Sequence, residues 1–265
     1  MLTSMQRILF IVFLAFTNLA FAQTATQSGY EPSVGQEGKD VVWVPTPQAL
    51  VEKMLDLAKV TASDYVVDLG SGDGRTVITA AKRGARALGI EYNPDMVELS
   101  KRNATAAGVG EKVKFMKADI FESDFSDATV VTMFLLPTLN LQLRPKLLDM
   151  KPGTRLVSNS FTMGEWEPDE TATVSDDCVS WCTALFWIVP AKVQGTWRLG
   201  QDDLTLTQTF QVLSGTLGTA SITHARMHGV DITFEAGGVQ YTGTANGDSM
   251  SGTAAGKTWT ATRAK

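Results

Sequence analysis

The sharpest chemical signal in this 265-residue chain is Val67-Asp68-Leu69-Gly70-Ser71-Gly72-Asp73-Gly74-Arg75. Glycines at alternate positions let a backbone turn tightly and approach a ligand closely. Two acids, Asp68 and Asp73, accompany them. A dinucleotide loop uses G-x-G-x-x-G spacing and seats a pyrophosphate on a helix N-terminus. Here the spacing is G-x-G-x-G, and the two acids would repel a pyrophosphate but attract a cation. Glu91 closes Gly89-Ile90-Glu91, where an acid can bind both hydroxyls of a ribose. Asp119, in Lys117-Ala118-Asp119-Ile120, can accept from an adenine amino group while Ile120 packs on the ring. Each acid alone reads as a turn, a strand end or a surface residue. At the ends of successive strands they point into one crevice.

A ligand with an adenosine half and a doubly cationic half meets all these demands. S-adenosylmethionine, with its sulfonium and ammonium groups, fits the loop better than NAD. The predicted cofactor-binding residues are Thr46, Asp68, Gly70, Ser71, Gly72, Asp73, Gly74, Glu91, Tyr92, Asp119, Ile120 and Phe134. Methyl transfer from a sulfonium is an in-line displacement that positioning alone can accelerate, with no metal required. A lysine acceptor must first lose its proton. From a reference pKa of about 10.4, the neutral amine at pH 7 costs roughly 4.6 kcal/mol. The site should therefore desolvate the amine or accept its proton, and offer carbonyls or aromatic faces. Phe134, Asn140, Glu165 and Trp166 are the candidates for this half of the chemistry. Phe134 walls a methyl channel or sits in the core. Asn140 orients the acceptor or caps a helix. Glu165 and Trp166 form a lid, an acceptor-facing pair or a packed loop. Arg75 and Arg144 read as ion-pairing or capping residues.

The elements that must position these groups follow from punctuation. Thr46-Pro47 predicts an N-cap followed by proline at the first helical position, and Leu50, Val51, Met54, Leu55 and Ala58 then repeat with helical period. Strands are expected at 65–69, 87–90, 113–116, 129–134 and 155–158. Helices are expected at 76–82, from Asn93-Pro94 to about 107, and at 140–149. Strands alternating with helices imply a parallel sheet covered on both faces. From Lys192 onward the composition changes: 14 Thr and 11 Gly in short period-two runs, with Gly237-Gly238 and Asn246-Gly247 as hairpin turns. This predicts a small antiparallel β domain, a sandwich or partial barrel. Its interior should be filled by Trp197, Leu204, Leu206, Phe210, Ile232, Phe234, Tyr241 and Trp259.

Composition narrows the function. Hydrophobic residues are 44% and charged residues 19%, which excludes a disordered chain. A net charge of −5 argues against a nucleic-acid partner. Residues 1–22 read as a cleavable export signal. Arg7 precedes an apolar run, and Ala20-Phe21-Ala22 is a small-x-small cleavage site. The run is shorter than the roughly 20 residues of a membrane span. The expected destination is the periplasm or the exterior, with no stable membrane span and a monomer assumed. Cys178 and Cys182 can pair if a tight turn begins near Asp176, and cannot if both lie on one extended strand. His224 and His228 read as surface residues rather than metal ligands.

Residues 41–190 resemble a class I S-adenosylmethionine-dependent methyltransferase. They are similar to the lysine methyltransferases of the ATP synthase c-subunit family and their bacterial relatives. The resemblance is carried by Val44-Pro45-Thr46-Pro47, the stretch from Asp68 to Arg75, and Phe134-Leu135-Leu136-Pro137 through Asn140. It continues in Leu143-Arg144-Pro145, Met163-Gly164-Glu165-Trp166 and Val189-Pro190-Ala191. It implies an α/β fold: a Rossmann-like sheet with helices on both faces, here followed by the antiparallel β domain. It also implies an S-adenosylmethionine-dependent transferase, with a protein lysine as the candidate acceptor. The organisation read from the chain is a signal peptide at 1–22, a flexible lead-in at 23–40, a methyltransferase domain at 41–191 and a β-rich domain at 192–265. The alternative reading is a binding protein, in which the β tail recognises a partner and the cofactor fold acts as a sensor.

Overall fold

The computed structural model describes residues 29–264; the export signal expected at 1–22 lies outside them. Helix α1 (Gln48–Leu57) buries Leu50, Val51, Met54 and Leu55, the helical stripe expected of them. Its cap differs from expectation. Pro47 itself occupies the cap position, and no side chain caps the helix. Thr46 is turned inward instead: its hydroxyl accepts from Asn159 Nδ2 at 3.3 Å and its carbonyl from Arg75 Nη1 at 2.8 Å.

The chain then alternates through β1 (Tyr65–Leu69), α2 (Arg75–Lys82), β2 (Arg86–Glu91), α3 (Pro94–Ala106), β3 (Val113–Lys117), β4 (Val130–Met133), α4 (Pro137–Leu148) and β5 (Arg155–Asn159). Asn93 caps α3 by accepting from Asp95 N at 2.9 Å, and Pro94 follows at the first helical position. Helix α4 starts at Pro137, ahead of the expected 140, with Leu136 at its cap. Asn140 is therefore inside the first turn and caps nothing.

Two strands had no counterpart in the expected elements, β6 (Glu170–Thr173) and β7 (Thr183–Ile188). The sheet order is β3-β2-β1-β4-β5-β7-β6, with β7 antiparallel to β5 and β6 antiparallel to β7. Alternate residues feed two cores. Val66, Val130, Val157 and Phe186 face the cluster under α1, α2 and α3. Val67, Val131, Leu156 and Trp187 face the cluster with Leu143 and Leu147 of α4, Phe125 and Trp166. Helices thus cover both faces.

The tail forms β8 (Gly195–Leu199), β9 (Asp202–Thr209), β10 (Val212–Leu217), β11 (Ala220–His228), β12 (Asp231–Ala236), β13 (Val239–Asn246), β14 (Ser249–Ala254) and β15 (Lys257–Arg263). It is a closed barrel rather than a sandwich or partial barrel, because β15 pairs back onto β8, with Arg263 opposite Trp197. Closure leaves no unpaired edge. Trp197, Leu204, Leu206, Ile232, Phe234 and Trp259 fill it as expected, and half-buried Tyr241 stacks on Phe234 at 4.6 Å. Phe210 does not. It sits on the turn between β9 and β10, outside the barrel, stacked on Trp166 at 5.9 Å.

That stack belongs to the seam between barrel and sheet. Arg144 lies over the Phe210 ring at 5.3 Å, and Gln211 Nε2 donates to Glu167 O at 2.7 Å. Arg226 Nη2 reaches Asp169 Oδ1 at 2.6 Å, and Ala191 N donates to Gly229 O at 2.8 Å.

Over its described part, from residue 29, the expected lead-in makes backbone bonds to the first domain. Gly35 N donates to Trp43 O at 2.8 Å and Trp43 N to Gln36 O at 2.9 Å. Arg102 Nη2 donates to Tyr30 O at 3.1 Å. These bonds fold the segment back as a strap against the glycine loop. Cys178 and Cys182 form a disulfide in the loop between β6 and β7, with Cα atoms 5.8 Å apart.

Candidate active site

A cavity of about 420 Å³ lies along the edge of the sheet where β1 to β5 end. This is within the roughly 300–1,000 Å³ of small-molecule sites. Gly70, Gly72 and Gly74 all take positive φ, a conformation that glycine adopts without the strain a side chain would bring. A Cβ on Gly72 would stand 2.8 Å from Trp43 Nε1, so the strap closes directly over the loop. From the neighbouring strand, a Cβ on Gly89 would stand 2.5 Å from Ser71 Oγ and 2.6 Å from Phe115 Cδ1.

The acids converge as the spacing predicts. Glu91 accepts from Gly72 N and Asn93 N, both at 2.9 Å, which aims its carboxylate at the cavity. Asp68 is buried and accepts from Thr132 Oγ1 at 2.6 Å. Burial pushes its carboxyl up to about 7; hydrogen bonds from Thr132 and Thr76 oppose this, and the charges of Glu91 and Asp73 add to it. Asp73 is held by Arg75, with Nη2 to Oδ2 at 2.6 Å. Through its bond to Thr46 O, Arg75 ties the glycine loop to the strap. Asp119 accepts from Phe121 N at 2.9 Å and from Lys39 Nζ at 2.6 Å, and the Lys39 ammonium holds its carboxyl below the usual range. Lys39 also lies 5.0 Å over the Tyr92 ring.

Thr46, Asp68, Gly70, Ser71, Gly72, Asp73, Glu91, Tyr92, Asp119, Ile120 and Phe134 all line the cavity. Four predicted residues lie elsewhere. Gly74 packs under the loop, where a Cβ would meet Phe115 and Ser100 at 2.9 Å. Asn140 is fully buried and donates to Phe161 O at 3.1 Å and Thr162 O at 3.2 Å, holding the turn after β5 rather than an acceptor. Glu165 points to solvent and pairs with Arg144 at 2.8 Å. Trp166 is fully buried between Trp187 and Phe210, so it backs the barrel seam and forms no lid. Lys39, Trp43, Phe161 and Trp181 line the cavity without having been predicted. The apolar run Val41-Val42-Trp43-Val44 was a usable signal for the strap. Phe161 and Trp181 had none, because nothing local to a loop residue says which cavity it will face.

The cavity has two ends. Glu91 and Asp119 mark the end at β2 and β3. Phe134, Phe161 and Trp181 mark the other, beyond β4, β5 and β7, with Met133, Leu135 and Leu136 beside them. The fit to S-adenosylmethionine is testable on the chain itself. Ser71 Oγ is buried in the loop without a partner. Asp68 is a buried carboxylate lining the same cavity. A ligand with hydroxyls and a cationic half supplies what these groups lack.

Fold and site together define a class I S-adenosylmethionine-dependent methyltransferase. A family model for the ANTKMT methyltransferase domain matches residues 68–170. A protein-lysine N-methyltransferase of Saccharolobus islandicus is 44% identical over 151 residues, covering 56% of this chain and 94% of that protein. The ATP synthase c-subunit lysine N-methyltransferase of Mus musculus is 36% identical over 138 residues, 52% of this chain and 56% of that protein. Among solved structures, an RNA methyltransferase from Salinibacter ruber in complex with S-adenosyl-L-homocysteine is 48% identical. It covers 57% of this chain and 96% of that one, with a TM-score of 0.53. The chain belongs to the S-adenosylmethionine-dependent methyltransferase family of these enzymes.

Proposed function

We propose that this methyltransferase is exported and acts on a lysine side chain of a protein. The observation that carries the acceptor is the similarity to the Saccharolobus islandicus protein-lysine N-methyltransferase, which extends over 94% of that enzyme. The cavity supports it: its end beyond β4 is apolar and aromatic, the surroundings that favour a neutral amine over an ammonium. The net charge of −5 disfavours RNA, the acceptor class of the Salinibacter ruber RNA methyltransferase. Export is supported by the signal-like residues 1–22 and by the Cys178–Cys182 disulfide, a bond that persists in oxidising compartments.

The bound cofactor would supply an electrophilic methyl group on a sulfonium. The chain's own residues would hold it. Glu91 would take the ribose hydroxyls and Asp119 and Ile120 the adenine. The glycine loop and Asp68 would take the cationic end. Phe134 and its neighbours would exclude water from the acceptor nitrogen. The test is methyl-labelled S-adenosylmethionine added with the purified protein to a whole extract of its source, containing its exported proteins, RNA and small molecules. Label on lysine, located by mass spectrometry, is the expected result. Label confined to RNA or to small molecules would overturn the acceptor. An N-terminus at Gln23 in material recovered from outside the cytoplasm is expected; retention of residues 1–22 in the cytoplasm would overturn export.

A further inference from the structure

The aromatic end of the cavity is assembled from three loops. Phe134 follows β4, Phe161 follows β5 and Trp181 precedes β7. They meet because β7 runs antiparallel beside β5, with Ala184 opposite Asn159, so the entry to one strand lies at the exit of the other. The rings touch as one wall. Phe134 and Phe161 stack at 5.8 Å, Phe161 and Trp181 lie at 5.0 Å, and Phe134 and Trp181 at 6.1 Å.

Trp181 is held differently from the other two. It is 44% exposed, and its backbone takes φ +59, a left-handed conformation that bulky residues avoid. Asp177 is also left-handed, at φ +54. Such conformations persist only where the surroundings impose them. The tip of the loop is unpacked, with Val179 fully exposed, and the Trp181 ring rests on Phe161 and Phe134 alone among the described aromatic residues. The covalent constraint is the Cys178–Cys182 bond, which closes a ring of five residues around Trp181.

We propose that Phe134, Phe161 and Trp181 form the acceptor wall, receiving the alkylammonium head of a lysine side chain, and that the Cys178–Cys182 disulfide holds Trp181 in that wall. This rests on the lysine reading above and adds its recognition device. Aromatic faces attract an ammonium and its methyl groups through the ring quadrupole. The amine gives up its proton to water before the site closes, and its nitrogen becomes cationic again as it takes the methyl group, so the rings stabilise the charge that forms during transfer. The loop makes the third ring part of the site without burying it, so an acceptor can enter past it.

The probes are N-acetyl-trimethyllysine methylamide and its uncharged tert-butyl isostere, titrated into the full chain loaded with S-adenosylhomocysteine. The cation should bind at least about fivefold more tightly than the isostere, and Trp181→Ala should weaken it roughly 5- to 30-fold. Trp181→Phe should retain most of the affinity. The double variant Cys178→Ser/Cys182→Ser should weaken the cation at least about threefold, while S-adenosylhomocysteine affinity stays within about twofold. Unchanged cofactor affinity shows that the variants are folded. Equal binding of the cation and the isostere would overturn the wall's role. A double variant that binds the cation as wild type does would overturn the disulfide's. If lysine is methylated but KM is unchanged in the Trp181 and cysteine variants, this proposal alone fails. If wild type binds neither probe and methylates no lysine, the underlying reading fails with it.

Discussion

Asp68 carries two opposed demands. A carboxylate that meets a cation should be charged, yet burial raises it to about 7. The ordinary value is 3.8, so between about 4 and 7 the folded protein holds a proton that the unfolded chain has released. Stability without cofactor therefore falls as pH rises through this window. The full cost, on the order of a few kcal/mol, is present above pH 7. Asp68→Asn should raise the stability of the cofactor-free protein by roughly 2–4 kcal/mol at pH 8 and by almost nothing at pH 4. The same variant should weaken S-adenosylmethionine at least about tenfold at pH 8, where the native carboxylate is ionised. Thermal unfolding at the two pH values, with calorimetry of the cofactor, reads both effects. A gain in the variant that is as large at pH 4 as at pH 8 would contradict the assigned burial cost. Asp68, Glu91 and the glycines were legible because motif and chemistry sit on the same few residues. Asn140, Glu165 and Trp166 lie away from the cavity, which residue type alone does not reveal. A buried tryptophan and an acceptor-facing one are spelled alike.

At the scale of elements, strand-to-strand spacing sets the site. Gly89 lies inside β2, away from any turn, yet its missing Cβ makes room for Ser71 and Phe115. Gly89→Ala should push the glycine loop off its neighbour strand. The expected result is destabilisation of about 1–3 kcal/mol and loss of most cofactor affinity, measured by denaturation and calorimetry. An alanine variant with native affinity would show that the loop can relax. The parallel core was readable because β1 to β5 alternate with well-punctuated helices. Strands β6 and β7 were not, because their pairing depends on β5 and their separating loop is polar. Helix α4 began earlier than read because Pro137 suits a first helical turn and Asn140 found partners in a distant loop.

At the scale of the whole molecule, the barrel and the sheet share a seam with specific partners. The Asp169 side chain, almost fully buried, accepts from Ile188 N at 2.8 Å as well as from Arg226. Arg226→Met would leave that carboxylate without its cation and should cost about 1–3 kcal/mol, the lower end reflecting the exposure of Arg226. Phe210→Ala should cost about 2 kcal/mol through the lost stack on Trp166. Neither residue lines the cavity, so cofactor affinity should stay within about twofold by calorimetry. A loss of affinity in both variants would mean that the barrel helps to shape the site. Equal stability to wild type would mean that the seam is incidental.

Local chemistry was enough to specify the glycine loop, the acids on three successive strands, the cofactor class and the change of architecture near residue 192. Each depends on backbone conformation, charge or period, which act over a few residues. Tertiary structure alone decided the rest. Closure of the barrel needed β8 and β15 to meet across the whole tail. The strap needed the glycine loop to fold against. The wall of Phe134, Phe161 and Trp181 needed β4 and β5 to end where β7 begins, and the loop closed by the disulfide to carry a tryptophan beside them. Contacts between residues far apart in the chain leave no pattern within either segment, so only their meeting reveals them.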